Sequence, residues 1–114
     1  MDVPRQVQDK LAQFQNLQNQ LQMVSIQRQQ LTLGNTDISN AKKELDKVSD
    51  ERVYRMVGPL LLETNKDEGL KYLEDESESA TNKIKLLEGQ ERKLAEKLNQ
   101  MRDELNAMIK PQNP

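Results

Sequence analysis

The sequence predicts a mainly α protein: a long antiparallel coiled coil of two helices with one central β-hairpin. Two long segments carry apolar residues at alternating spacings of three and four, the a/d pattern of coiled coils. Between them, VYRMVGPLLLET surrounds the turn dipeptide Gly58-Pro59. β-Branched, aromatic and long apolar residues beside such a turn favour two short strands. We predict one domain made of a first helix over 4–50, a hairpin over 53–64, a second helix over 66–110 and a tail over 111–114.

The composition favours extended helices over a compact globule. Of the 114 residues, 34% are apolar, 3% are aromatic and 32% are charged, and the mean hydropathy is −0.93. The 17 basic and 19 acidic residues nearly balance, unlike the composition of highly charged disordered chains. A net charge of −2 gives no electrostatic reason to expect nucleic acid or an acidic membrane as a partner. Cysteine is absent and no apolar stretch approaches the ~20 residues of a membrane span, so we expect a cytoplasmic protein.

A seven-residue repeat organises the first helix. Between the apolar positions lie ten glutamines over residues 6–30. Such a tract also occurs in aggregation-prone segments, but the unbroken repeat favours a solvated helix face. Gly34 costs roughly 1 kcal/mol relative to Ala and permits a break into two helices; since the repeat continues across it, we favour one continuous helix. The repeat consists of Leu17, Val24, Leu31, Ile38 and Leu45, with Val7, Phe14 and Leu21 at the companion position.

The hairpin is apolar on nearly every position, which predicts oligomerisation. An isolated two-stranded hairpin is marginal in water, so its side chains are expected to meet strands of other subunits. Pro59 cannot donate a ladder hydrogen bond and is expected at the start of the second strand or on an edge. The predicted oligomerisation residues are Val53, Tyr54, Met56, Val57, Leu60, Leu61 and Leu62.

The second helix begins at Asn65-x-x-Glu68, which predicts a capping box. Folding the chain about its Gly-Pro turn brings the polar seam residues Arg28 and Glu91 within a turn of each other. We predict that they pair across the seam and help to set its register; alternatively, each extends separately to water. The second seam runs through Leu70, Leu73, Ser77, Ala80, Ile84, Leu87, Glu91, Leu94, Leu98, Met101, Leu105 and Met108.

No catalytic or metal-binding constellation is evident. The chain has no histidine, no cysteine, no Gly-rich phosphate loop and no Gly-x-Ser-x-Gly. The acidic cluster Glu74, Asp75, Glu76 and Glu78 could be a metal site, but these side chains spread around a helix and no second segment converges on them. A solvated acidic face is favoured, and we expect neither an enzyme nor a cofactor.

The ends of the two helices carry apolar residues that can bind other proteins. Unbranched, polarizable Met suits binding surfaces of broad specificity. The alternative is that these residues only close the coiled coil, which is favoured for Leu105, whereas binding is favoured for Leu11, Met108 and Ile109. The predicted binding tip comprises Val3, Val7, Leu11 and Phe14 from the first helix and Met101, Leu105, Met108 and Ile109 from the second.

Two helices of matched length, one hairpin reading VYRMVGPLLLE and the Gln-rich segment LAQFQNLQNQLQ together resemble the β-type subunit of prefoldin. The resemblance covers nearly the whole chain, and LAQFQ looks archaeal. Its most specific part is Val53-Tyr54-x-x-Val57-Gly58 followed by Leu61. A single hairpin matches the β type, not the longer α type. Pro59 departs from the polar or small residue expected after the glycine.

The resemblance implies a hexamer of two α-type and four β-type subunits, whose hairpins form β-barrels from which the coiled coils project. It further implies an ATP-independent co-chaperone whose distal tips hold unfolded proteins and deliver them to a group II chaperonin. A second hypothesis is a structural or adaptor coiled coil with one defined helical partner. A nucleic-acid role is disfavoured because no basic stripe is present.

Overall fold

Two long helices flank one β-hairpin in the computed structural model, which describes residues 4–49 and 52–109. Helix α1 spans Arg5–Asp46, strands β1 and β2 span Arg52–Val57 and Leu60–Asn65, and helix α2 spans Lys66–Ile109. The predicted fold class, a pair of long helices with a central antiparallel hairpin, is confirmed. Val3, residue 110 and the predicted tail lie outside the described residues.

The end of α1 is closed by the first residue of α2. The prediction of a helix up to residue 50 is wrong, because α1 ends at Asp46. There the amides of Lys47 and Val48 donate to carbonyls three residues back, at 3.1 Å each, which tightens the final turn. The Lys66 ammonium donates to the carbonyls of Asp46 at 3.1 Å and Val48 at 3.2 Å. A cation at this position also suits the negative end of the helix dipole.

The described residues divide into two compact units. The hairpin unit is Gln29–Lys85, and the terminal unit consists of residues 4–28 with residues 86–109. Each unit contains one segment of α1 and one segment of α2. In the hairpin unit, α1 continues through Gly34 without a break, and nothing lies within 4 Å of a Cβ built there.

The turn of the hairpin is built from Gly58 and Pro59. The strands pair from Arg52↔Asn65 to Val57↔Leu60, one residue pair more than predicted, and leave a two-residue loop. Gly58 has φ of 58°, and among residues 4–49 and 52–109 no residue other than glycine has positive φ. This fits a type II′ turn, which places Gly first. Pro59 is therefore the second turn residue, whose negative φ the pyrrolidine ring favours. The expectation that it begins the second strand is wrong.

The start of α2 is capped as the sequence predicts, with one difference. The Asn65 side-chain oxygen accepts a hydrogen bond from the Glu68 amide at 2.8 Å. The Glu68 carboxylate accepts from the Thr64 hydroxyl at 3.1 Å instead of reaching back to the Asn65 amide. Asn65 still belongs to β2 and pairs with Arg52, so the cap joins strand and helix without a linker.

Small and polar residues bring the two helices together in the hairpin unit. A Cβ built on Gly69 would lie 3.1 Å from Leu45 Cδ2, so the helices approach closely there. One layer of the seam is polar: the Ser77 hydroxyl donates to Asn35 Oδ1 at 3.0 Å, and Asn35 Nδ2 donates to Thr81 Oγ1 at 3.4 Å. Such a layer has its partners only in the correct alignment of the helices.

The terminal unit holds the two most buried side chains. Among the described residues, only Val7 and Leu105 are buried, with 6% and 5% of their surface exposed. The carbonyl of Pro4 accepts the amides of Val7 and Gln8, which starts the first turn of α1. An ion pair joins Lys10 of α1 to Glu104 of α2. Within the described part of the chain, neither helix has a stretch apolar enough to cross a lipid bilayer.

The turn geometry generates a stability prediction. Gly58→Ala is expected to lower the free energy of unfolding by roughly 1–2 kcal/mol, because a Cβ is strained at this positive φ. Gly34→Ala is the control and is expected to raise it by up to about 1 kcal/mol, because Gly34 is helical and unobstructed. Urea denaturation followed by circular dichroism measures both. Equal stability of Gly58→Ala and the wild type would contradict the turn assignment.

Candidate functional site

The hairpin presents exposed apolar side chains on both of its faces. Tyr54, Met56 and Leu61 lie on one face, and Met56 is the most exposed at 74%. The opposite face carries Val57, Leu60 and Leu62, of which Val57 and Leu60 pair beside the turn. We call these six residues the hairpin surface. Val53 differs from the other predicted oligomerisation residues because it is half-buried.

The face that carries Val53 also contacts α2. The Arg55 guanidinium carbon lies 3.8 Å from the centroid of the Tyr72 ring, a cation–π contact. Val53 Cγ2 would lie 3.6 Å from a Cβ built on Gly69. This end of the hairpin therefore rests on α2, while Leu60 and Leu62 of the same face stay exposed.

Both outer edges of the hairpin are available for strand pairing. The sheet formed by the described residues has only β1 and β2, so each strand has one neighbour. Unpaired edges attract strands of another chain. Arg52 and Glu63 approach to 3.9 Å across the hairpin, but both are exposed, and such a pair contributes little to stability. The hairpin thus combines free edges with apolar faces.

The end of the helix pair in the terminal unit carries a second apolar surface. Leu11, Met108 and Ile109 are exposed there, and we call them the tip surface. Phe14 and Met101 are half-buried, whereas Val7 and Leu105 are buried. The predicted set of tip residues therefore separates into residues that pack between the helices and residues that face solvent. Their role in binding stays a prediction.

A polar cluster interrupts the seam of the terminal unit. Arg28 Nε donates to Glu91 Oε1, and the Ser25 hydroxyl donates to Glu91 Oε2 at 2.9 Å. The Arg28 and Glu91 side chains are only 28% and 19% exposed, so the pair is shielded more than a surface ion pair. Both carboxylate oxygens of Glu91 thus accept hydrogen bonds from α1. That the pair sets the register stays a prediction.

Sequence comparison assigns the chain to a family. The family described as "Prefoldin subunit" matches residues 8–112. The chain belongs to the prefoldin subunit family. It is 39% identical over 112 residues to the prefoldin subunit beta of Archaeoglobus fulgidus, and the alignment covers 97% of each chain. Identity to the prefoldin subunit beta of Thermococcus onnurineus is 35% over 111 residues, or 96% of each chain.

Solved prefoldin structures share the fold. The crystal structure of the prefoldin beta subunit from Thermococcus strain KS-1 matches with a TM-score of 0.88 at 34% identity, over 97% of this chain and 98% of that one. The beta2 subunit of the same organism matches with a TM-score of 0.73 at 27% identity, over 79% and 97% of the two chains. The resemblance to archaeal β-type prefoldin is therefore confirmed, and it supports a chaperone subunit that assembles with other prefoldin subunits.

The structure identifies two contact residues, Ser25 and Tyr72, that the sequence pattern does not predict. Ser25 lies three residues before Arg28 on the same side of the helix, a spacing that could have identified it. The sequence does not predict the contact between Tyr72 and Arg55, because this contact depends on how the hairpin rests on α2.

The acidic cluster 74–78 is exposed except for Ser77, and no three acidic side chains in 4–49 and 52–109 are placed to hold a metal ion.

The shielded ion pair generates a prediction about the prefoldin seam. In a double-mutant cycle, Arg28→Leu and Glu91→Leu are expected to show a coupling energy of at least about 0.5 kcal/mol, since each single variant leaves the other charge half-buried. Thermal unfolding of the four proteins measures it. Lys47→Leu with Glu44→Leu, an exposed pair at the end of α1 at 3.4 Å, serves as the control and should show less coupling. Strictly additive effects at Arg28 and Glu91 would exclude the register role.

Proposed function

We propose that this chain is one subunit of a hetero-hexameric prefoldin that holds unfolded proteins without ATP and delivers them to a group II chaperonin in the cytoplasm. The observation that carries the proposal is the presence of two exposed apolar surfaces in separate units of the chain. The hairpin surface joins the subunit to α-type and other β-type subunits. The tip surface binds the unfolded proteins.

Physical chemistry supports assembly through the hairpin. Complete burial of a Leu, Met or Val side chain is worth about 1.5–3 kcal/mol relative to exposure, and the hairpin surface contains six large apolar residues. Pairing with neighbouring strands covers these side chains and the unpaired backbone edges together. Closure of several hairpins into a β-barrel leaves no free edge at all. The hairpin's apolar character on both faces suits such a closed arrangement.

Holding of unfolded chains follows from the chemistry of the tip surface. Leu11, Met108 and Ile109 offer apolar contact without a shaped pocket, and Met adapts to different partners. Contacts of this kind are weak individually. Several subunits in one assembly raise the effective concentration of binding sites and hence the total affinity. Weak contacts also allow release to a chaperonin without nucleotide hydrolysis.

Assembly is tested by replacing one apolar cross-strand pair of the hairpin with two carboxylates. Met56→Glu with Leu61→Glu is expected to abolish assembly with an α-type subunit, because the pair is exposed and two carboxylates would then face each other. Ile26→Glu with Leu33→Glu, which replaces exposed apolar residues of α1, is the control and should assemble normally. Light scattering after size-exclusion chromatography measures the mass. A hexamer formed by the hairpin variant would contradict the proposal.

Holding is tested at the tip surface. Leu11→Ser with Met108→Ser is expected to reduce protection of a denatured model protein against aggregation severalfold, with the mass of the assembly unchanged. Ile26→Ser with Leu33→Ser is the matched control and should protect like the wild type. Turbidity during dilution from denaturant provides the measurement. Loss of assembly in the tip variant would instead assign both residues to the coiled-coil core.

The adaptor hypothesis gives a different result in the same assay. An adaptor with one defined helical partner would bind that partner saturably and leave the aggregation of unrelated proteins unchanged. Failure of the wild-type assembly to protect any denatured protein would therefore favour it.

A further inference from the structure

A groove between α1 and α2 in the terminal unit is separate from the residues of the tip surface. Its volume is ≈ 400 Å³, within the ~300–1,000 Å³ range of ligand clefts. Val24 and Leu94, both half-buried seam residues, form an apolar base. Met23 extends from α1 beside them and is 63% exposed. An exposed Met next to seam residues forms an apolar seat that is open to solvent.

The charge of the groove has a single sign. Lys93 and Lys97 line it from α2, four residues apart and therefore on one helix face. The other polar lining residues are Gln20, Gln27 and Gln90, which are neutral. No acidic side chain is among the residues that line the groove. Two ammonium groups beside an apolar seat complement a ligand that combines carboxylates with an apolar side chain.

The glutamines add hydrogen-bonding groups suited to a peptide backbone. Each side-chain amide both donates and accepts, as a peptide group does. Gln20 and Gln27 are seven residues apart, about 10 Å along the helix axis, which is close to the length of three residues of extended chain. Lys93 and Lys97 are about 6 Å apart along the axis, close to the separation of two residues that flank a third in an extended chain.

We propose that this groove binds extended, acidic segments of non-native polypeptides. One apolar side chain of the segment sits against Met23, Val24 and Leu94, and flanking carboxylates pair with Lys93 and Lys97. Gln20 and Gln27 bond to the backbone of the segment. The groove then gives the chaperone a preference among its clients, a role that rests on the proposed holding function. The binding itself is measured independently of that function.

The test uses the assembled protein and short fluorescein-labelled peptides. In one peptide glutamate and leucine alternate; in the second lysine replaces glutamate, and in the third serine replaces leucine. Fluorescence anisotropy is expected to show the tightest binding for the glutamate–leucine peptide. Lys93→Glu with Lys97→Glu is expected to weaken that binding about tenfold, because two attractions become repulsions. Met23→Ser is expected to weaken it severalfold and to leave its salt dependence unchanged.

A matched variant controls for net charge. Arg92→Glu with Arg102→Glu makes the same change in charge on the same helix, but neither residue lines this groove. This variant is expected to bind the glutamate–leucine peptide like the wild type. Equal weakening by both charge reversals would overturn the proposal in favour of non-specific attraction. Wild-type binding of the lysine–leucine peptide as tight as that of the glutamate–leucine peptide would also overturn it.

Further outcomes distinguish failure of this proposal from failure of the holding function, and peptide binding from occupation of the groove by another subunit. Selective peptide binding without protection against aggregation would refute the holding function and leave the groove as a binding site. Protection without peptide selectivity would refute the groove alone. Dissociation of the assembly on addition of the glutamate–leucine peptide would show that another subunit occupies the groove, which would overturn the proposal.

Discussion

Two antiparallel helices cover each other along a single seam, and the rest of this structure depends on that constraint. Each seam residue is covered from one side and stays partly open on the other. Val7 and Leu105 are accordingly the only buried side chains among the described residues, while the other apolar seam residues are half-buried, except for the exposed Met108. A two-helix chain cannot form the enclosed core that a globular domain of similar length would have. Its stability therefore depends on the regular seam and on contact with other chains.

The same geometry explains why apolar surface remains for partners. The hairpin surface is apolar on both faces, since the helices cover only the end of one face near Val53 and Arg55. Two residues of the tip surface, Met108 and Ile109, lie in the last turn of α2, beyond the buried Leu105, and Leu11 lies on α1. The groove differs in chemistry, because lysines and glutamines surround its apolar base. Purely apolar contact suits permanent assembly, whereas an apolar seat with one sign of charge suits selective and reversible binding.

Polar layers join the two helices within the seam of each unit. Glu91 accepts from Arg28 and Ser25, and Asn35 bonds to Ser77 and Thr81. Apolar residues at these positions would stabilise the helix pair through burial. They would also allow one helix to shift by a turn relative to the other. A shifted alignment would leave half-buried polar groups without their partners, at a cost of about 1–3 kcal/mol each. That these layers fix a single register of the helices stays a prediction.

Sequence alone determined the two helices, the hairpin and its Gly-Pro turn, because periodicity and turn chemistry are local properties of the chain. It also identified the apolar residues of the hairpin and the tip, and the capping role of Asn65. Tertiary structure decided what depends on packing: the end of α1 at Asp46, the stacking of Arg55 on Tyr72 and the division of the tip residues into buried and exposed. The groove belongs to this second class. Its lysines are 66 or more residues from Gln20 and Gln27 in the chain, and only the antiparallel pairing of the helices brings them together.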